Sequence, residues 1–127
     1  MLATALAVLP SSGAAQNFLT YTVLTDNKSA NRAWITIQDL GKTRNLDYGW
    51  LEPGKVHEWG AGNYTLGGWY YVRFEFMGAN GKRVCDTRAQ FTIAKGASHS
   101  KIGTFATGYY DPARGSCSIG IARPGPI

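Results

Sequence analysis

Trp69-Tyr70-Tyr71-Val72-Arg73-Phe74-Glu75-Phe76 runs through Gly78-Ala79-Asn80-Gly81 into Cys85-Asp86-Thr87-Arg88-Ala89-Gln90-Phe91-Thr92-Ile93. Strand side chains alternate between faces, so Tyr70, Val72, Phe74 and Phe76 share one face, and Trp69, Tyr71, Arg73 and Glu75 the other. The second arm puts Cys85, Thr87, Ala89, Phe91 and Ile93 on one side and Asp86, Arg88, Gln90 and Thr92 on the opposite one. Asn-Gly between two apolar runs is the strongest short hairpin signal. A two-residue loop pairs Phe76 with Cys85 and sets Glu75 against Asp86. A four-residue loop pairs Phe74 with Cys85 and sets Arg73 opposite Asp86. A two-residue shift keeps the apolar faces together in either case, and the charges favour the longer loop. An exposed Arg73–Asp86 pair would contribute little stability.

Outward from this hairpin the chain keeps the same character. Phe18 to Thr25 alternates, with Leu19, Tyr21 and Val23 on one side. Asp26 to Asn31 is a turn cluster, and Ala33 to Leu40 follows with Ile35 and Ile37 on one face and Trp34, Thr36 and Gln38 on the other. These first two strands read as a hairpin. Thr43 to Leu51 is a weaker strand, Glu52-Pro53-Gly54-Lys55 a turn with Pro and Gly where a type II turn needs them, and Val56 to Trp59 a short strand. Lys101 to Thr107 and Gly115 to Ala122 close the set, with Gly108 to Gly115 a loop carrying Tyr109 and Tyr110. Strands this short, with turns every eight to twelve residues, predict an all-β fold: an antiparallel sandwich of about seven or eight strands, or a small barrel. Residues 17–122 form its one domain. Residues 123–127, rich in Pro and Gly, read as a C-terminal tail.

The composition agrees. The 127 residues are 44% hydrophobic and 17% charged, with 16 Gly, seven Tyr, five Phe and four Trp, which suits short strands and tight turns rather than disorder. The formal charge of +5 favours acidic surfaces. The basic residues are dispersed, however, without the clustered patch that nucleic-acid binding leaves, so no nucleic-acid partner is expected.

Met1 to Gln16 reads as an export leader: an apolar run Leu2–Leu9, a break at Pro10, then small residues that allow cleavage after Ala15. It lacks a basic start. The other reading is a retained apolar arm that docks on a neighbouring subunit. The arm is too short to span a bilayer and has no basic face, which argues against membrane activity. An exported chain with two cysteines, Cys85 and Cys117, predicts one disulfide between core-facing sulfurs. A secreted or extracytoplasmic location follows. Asn27-Lys28-Ser29 and Asn63-Tyr64-Thr65 are sequons in expected loops, open to glycosylation in a eukaryote.

Catalytic chemistry finds no constellation. His57 and Glu58 are strand neighbours on opposite faces, whereas a metal needs three or four convergent ligands. No Gly-x-Ser-x-Gly elbow occurs. No carboxylate spacing singles out a glycosidase pair. Neither a cofactor nor a metal is expected, and the chain reads as a non-enzyme. Its informative residues are aromatic: Trp34, Trp69 and Tyr71 on polar faces, Arg73 beside them, Tyr109 and Tyr110 in a loop, and Trp50 near one. Such groups stack on sugars or anchor protein contacts. The expected function is a secreted, non-catalytic module that binds a glycan or a protein surface. The rival is a structural subunit that self-assembles, its N-terminal arm adding to a neighbour's sheet edge.

Overall fold

The described residues form eight strands, and the alternation along each decides which side is buried. They are β1 (Thr20–Asn27), β2 (Ala33–Asp39), β3 (Asn45–Leu51), β4 (Val56–Trp59), β5 (Trp69–Met77), β6 (Arg83–Thr92), β7 (Lys101–Asp111) and β8 (Ser116–Pro126). The structure, a computed structural model, describes residues 20–40, 45–59, 68–92 and 101–126. The N-terminal arm, Ile93 and the Asn63 sequon lie outside the described residues.

The strands form a two-layer sandwich. One sheet, A, has the order β4-β1-β7-β8 and the other, B, the order β3-β2-β5-β6. Sheet B is antiparallel throughout. Sheet A contains one parallel pair, β1 with β7, between two antiparallel ones. The expected β1–β2 hairpin does not form: the two strands belong to different sheets. The Asp26–Asn31 cluster is an arch between layers rather than a hairpin turn.

The cause is Asn27, which is fully buried at the end of β1. Its Nδ2 donates to the carbonyls of Asn31 (2.8 Å) and Leu51 (3.0 Å), and its Oδ1 accepts from the Ser29 amide (3.0 Å) and hydroxyl (2.7 Å). The side chain thus turns the chain locally and fastens the end of β1 to the end of β3 in the other sheet. Glycosylation at Asn27 is incompatible with this fold.

The two inner faces are unequal. Sheet B contributes the large side chains Ile35, Ile37, Tyr70, Val72, Phe74, Phe76 and Phe91, all buried. Sheet A faces them mostly with small groups that leave room for the rings, Val23, Thr25, Thr104, Ala106 and Gly108, beside the larger Trp59 and Tyr110. The extreme case is Phe74 over Gly108. A Cβ on Gly108 would stand 2.3, 2.4 and 3.0 Å from three carbons of the Phe74 ring. Gly108→Ala should therefore lower unfolding free energy by about 3 kcal/mol, the upper part of the overpacking range. Denaturant melts of Gly108→Ala, Phe74→Leu and the double variant check it. The double variant should lose clearly less than the sum of the singles, and strict additivity would contradict the contact.

At one open side of the sandwich Trp59 of β4 is buried, and its indole Nε1–H donates to Thr25 Oγ1 (2.6 Å). At the other side Cys85 on β6 bonds to Cys117 on β8, across the two sheets. Two strand ends also run further than their composition suggests. β7 continues through Gly108, Tyr109 and Tyr110 to Asp111, where a loop is expected. β8 extends to Pro126, where a tail is expected, with Gly125 opposite Gly103. Because β8 is an edge strand, it can hold prolines, which have no N–H to donate to a ladder.

The central hairpin keeps its predicted faces but not the predicted register. Phe76 lies opposite Cys85, Glu75 opposite Asp86 and Arg73 opposite Arg88. The turn is a three-residue loop, Ala79-Asn80-Gly81, closed by Gly81 N–H to Gly78 O (2.9 Å) and Gly78 N–H to Lys82 O (2.8 Å). Gly81 takes the left-handed conformation (φ 78°) that ends such a loop. The ladder then shifts between Phe76 and Met77, leaving Val84 as the extra residue. That bulge returns Cys85 to the core side.

Candidate functional site

The outer face of sheet B gathers the residues that the sequence marks for binding. Register places them in rows across the strands. Trp50, Trp34, Glu75 and Asp86 form one row, and Tyr48, Thr36, Arg73 and Arg88 the next. Asn45, Gln38, Tyr71 and Gln90 form the third, and Trp69 with Thr92 ends the surface. Trp34, Trp69, Tyr71 and Arg73 therefore share one face.

Toward the β3 edge the surface is aromatic. Trp34 meets Trp50 edge to face, with centroids 4.9 Å apart and planes at 75°, and lies 5.7 Å from Tyr48 at 31°. Tyr48 keeps 57% of its surface exposed and Trp50 46%. Arg32 stacks on Trp50 with its guanidinium carbon 3.9 Å from the ring centroid, and pairs with Glu52 at 3.0 Å. The sequence marks Trp50 only as an aromatic near a loop, and it assigns neither Trp50 nor Tyr48 to a face. β3 carries Gly49 and an extra residue at Leu46, where the ladder with β2 shifts between Ile37 and Gln38, so its alternation is weak. The signal that could have found them is the spacing Tyr48-x-Trp50 in a strand beside Trp34.

Toward the β6 edge the surface is ionic. Arg73 holds Asp86 through both arms of its fork, Nε to Oδ1 at 2.9 Å and Nη2 to Oδ2 at 2.7 Å. This is the pair expected from the sequence, but it forms diagonally rather than between opposed residues. Arg83 donates to Glu75 at 2.9 Å. Hydrogen bonding to Arg73 holds the Asp86 carboxyl below its ordinary range and raises Arg73 in turn. The pair is partly exposed, so its worth to stability is small, and it rigidifies the face more than it supports the fold.

Tyr109 and Tyr110 do not join this surface. Alternation separates them. Tyr110 points inward and stacks on Phe76 at 5.6 Å, so it is a packing residue. Tyr109 is half exposed on the outer face of sheet A and borders an open hollow of about 510 Å³ with Lys28, Ser116 and Ser118. Among the described residues no three His, Cys, Asp or Glu side chains converge as metal ligands would. His57 lies against the Trp59 ring at 4.3 Å.

Comparison of the chain with protein-family models, with curated proteins and with solved structures found no match. What the sheet B face does has to follow from its own chemistry. Its aromatic rings offer apolar planes, and the amides of Asn45 and Gln90 offer hydrogen bonds beside them. Gln38 Nε2 donates to Asn45 Oδ1 (3.2 Å) and Gln90 Nε2 to the Tyr71 hydroxyl (3.2 Å). Flat apolar planes beside hydrogen-bonding edges match the two kinds of surface that a pyranose ring presents.

Proposed function

We propose that this protein is an exported, non-catalytic binding module that recognises a glycan on the outer face of sheet B. The observation that carries the reading is the Tyr48–Trp34–Trp50 cluster, with large rings held against one another on a solvent-facing sheet rather than in the core. Burying such rings costs little conformational entropy for much contact area, which is why Tyr and Trp dominate binding sites. The inter-sheet disulfide is in keeping with an oxidising, extracytoplasmic location. A role in self-assembly through the N-terminal arm concerns residues outside those described.

Titration calorimetry against a panel of neutral and acidic oligosaccharides tests this. Trp50→Ala should weaken binding of any positive ligand by about tenfold, in line with the loss of one aromatic anchor, and leave the melting curve close to that of the parent. Tyr109→Ala, on the opposite sheet, should leave affinity unaltered. A ligand whose affinity follows Tyr109 instead of Trp50 would place the site on the other sheet.

A further inference from the structure

The ionic half of the sheet B face is unbalanced. Three guanidinium groups, those of Arg73, Arg83 and Arg88, meet two carboxylates, those of Glu75 and Asp86. Asp86 is engaged by Arg73 at 2.7 Å and approached by Arg83 at 3.5 Å. Glu75 is shared between Arg83 at 2.9 Å and Arg73 at 3.6 Å. Arg88 sits directly across the ladder from Arg73, a like charge. Among the described residues no carboxylate lies within ion-pair distance of it. Its guanidinium instead lies over the Tyr71 ring, 5.4 Å from the centroid. The Tyr71 hydroxyl is in turn fixed by Gln90.

Resting on the reading of this face as a glycan platform, we propose that Arg88, stacked on Tyr71, is an anion subsite, and that the ligand is an acidic glycan whose carboxylate or sulfate pairs with Arg88. A guanidinium lying over an aromatic ring keeps its N–H edge free for two parallel hydrogen bonds to a carboxylate or sulfate. The ligand's charge would supply the third anion that the cluster lacks, and the rest of the chain's +5 would add a long-range pull. The geometry suits an oligosaccharide. Three inter-strand steps of about 4.8 Å each separate β3 from β6, so a chain of a few sugars laid across the strands reaches from the Trp50 cluster to Arg88.

The test pairs each acidic probe with a neutral counterpart of the same backbone. Tetragalacturonate is compared with its methyl ester, and a heparin-derived tetrasaccharide with its desulfated form, by calorimetry at low and high salt. For at least one pair the parent protein should bind the acidic form about tenfold tighter, the scale of one charge-assisted contact. At high salt, where the long-range pull is screened, Arg88→Gln should bring that ratio to about one. Trp50→Ala should weaken both forms while the ratio persists. Equal affinity for both forms of every bound pair, or a high-salt ratio that survives Arg88→Gln, overturns the anion subsite and leaves the glycan platform standing. No binding of any saccharide, with binding of polyglutamate that depends on Arg88, overturns both in favour of an acidic protein partner. Arg88 is exposed, and a melting curve matching the parent's shows that the variant is folded.

Discussion

Asn27→Asp should destabilise the protein by about 4 kcal/mol, although it changes one atom. The amide nitrogen at this position donates to two carbonyls, and the residue has no exposed surface. A carboxylate cannot donate. The Asn31 and Leu51 carbonyls would each lose a partner, at roughly 1–3 kcal/mol for a buried group left unsatisfied, and would face a buried negative charge as well. Because burial and those carbonyls oppose ionisation, the introduced carboxyl would titrate above its unfolded value. The folded state then holds the proton more tightly than the unfolded one, so the deficit is largest above the folded pKa and shrinks as pH falls below it. Urea melts from pH 7 down to acid, with the slope m unchanged, would show this. A loss under about 1 kcal/mol at pH 7 would mean that Asn27 does not hold the two sheets together.

Removing the disulfide should produce a loss of similar size but in a different place. The Cys85–Cys117 bridge spans 32 residues, and the chain-entropy model assigns such a loop roughly 3–4 kcal/mol. The bridge joins the β6 edge of one sheet to the β8 edge of the other, whereas on the opposite side the Trp59 ring lies close against Gly49 of β3 and Asn27 bonds to Leu51. In a Cys85→Ala, Cys117→Ala variant the midpoint should fall accordingly. Hydrogen exchange should quicken first in β6 and β8, while β1 and β2 stay protected until global unfolding. Uniform loss of protection across all strands would show that the two sides of the sandwich are not separately closed.

What the sequence revealed, and what it hid, follows from how far each interaction reaches. Alternation is local, so it assigned Tyr70, Val72, Phe74 and Phe76 to the core and Trp69, Tyr71 and Arg73 to the surface. It likewise turned Cys85 and Cys117 inward. Pairing between distant strands is not local. Alternation in β1 looks the same whether its neighbour is β2 or, in parallel, β7, and the Asn27 arch has the composition of a hairpin turn. The register error has a related cause. Weighing only directly opposed charges favoured Arg73 against Asp86, yet arginine is long enough to reach a diagonal neighbour. The same contact therefore survives in a register that opposes Glu75 to Asp86. Gly108 reads as a loop residue, but its lack of a side chain serves the Phe74 ring within a strand.

The candidate site divides in the same way. Trp34, Trp69, Tyr71 and Arg73 were legible because their strands alternate cleanly. The irregular β3 left Trp50 legible only as an aromatic near a loop and gave Tyr48 no face. Tyr109 and Tyr110 looked like a pair only because adjacent residues in a presumed loop can point together. In a strand they cannot.

The most direct measurement is an NMR titration of the four indole N–H signals with a saccharide that calorimetry shows to bind. Trp34 and Trp50 belong to the proposed platform, and Trp69 lies at the end of the same face. Trp59 is buried with its N–H bonded to Thr25, and serves as an internal control. Binding on the outer face of sheet B predicts saturable shifts for Trp34 and Trp50, with Trp59 unmoved. Silent Trp34 and Trp50 signals at a saccharide concentration that calorimetry shows to saturate the protein would contradict it.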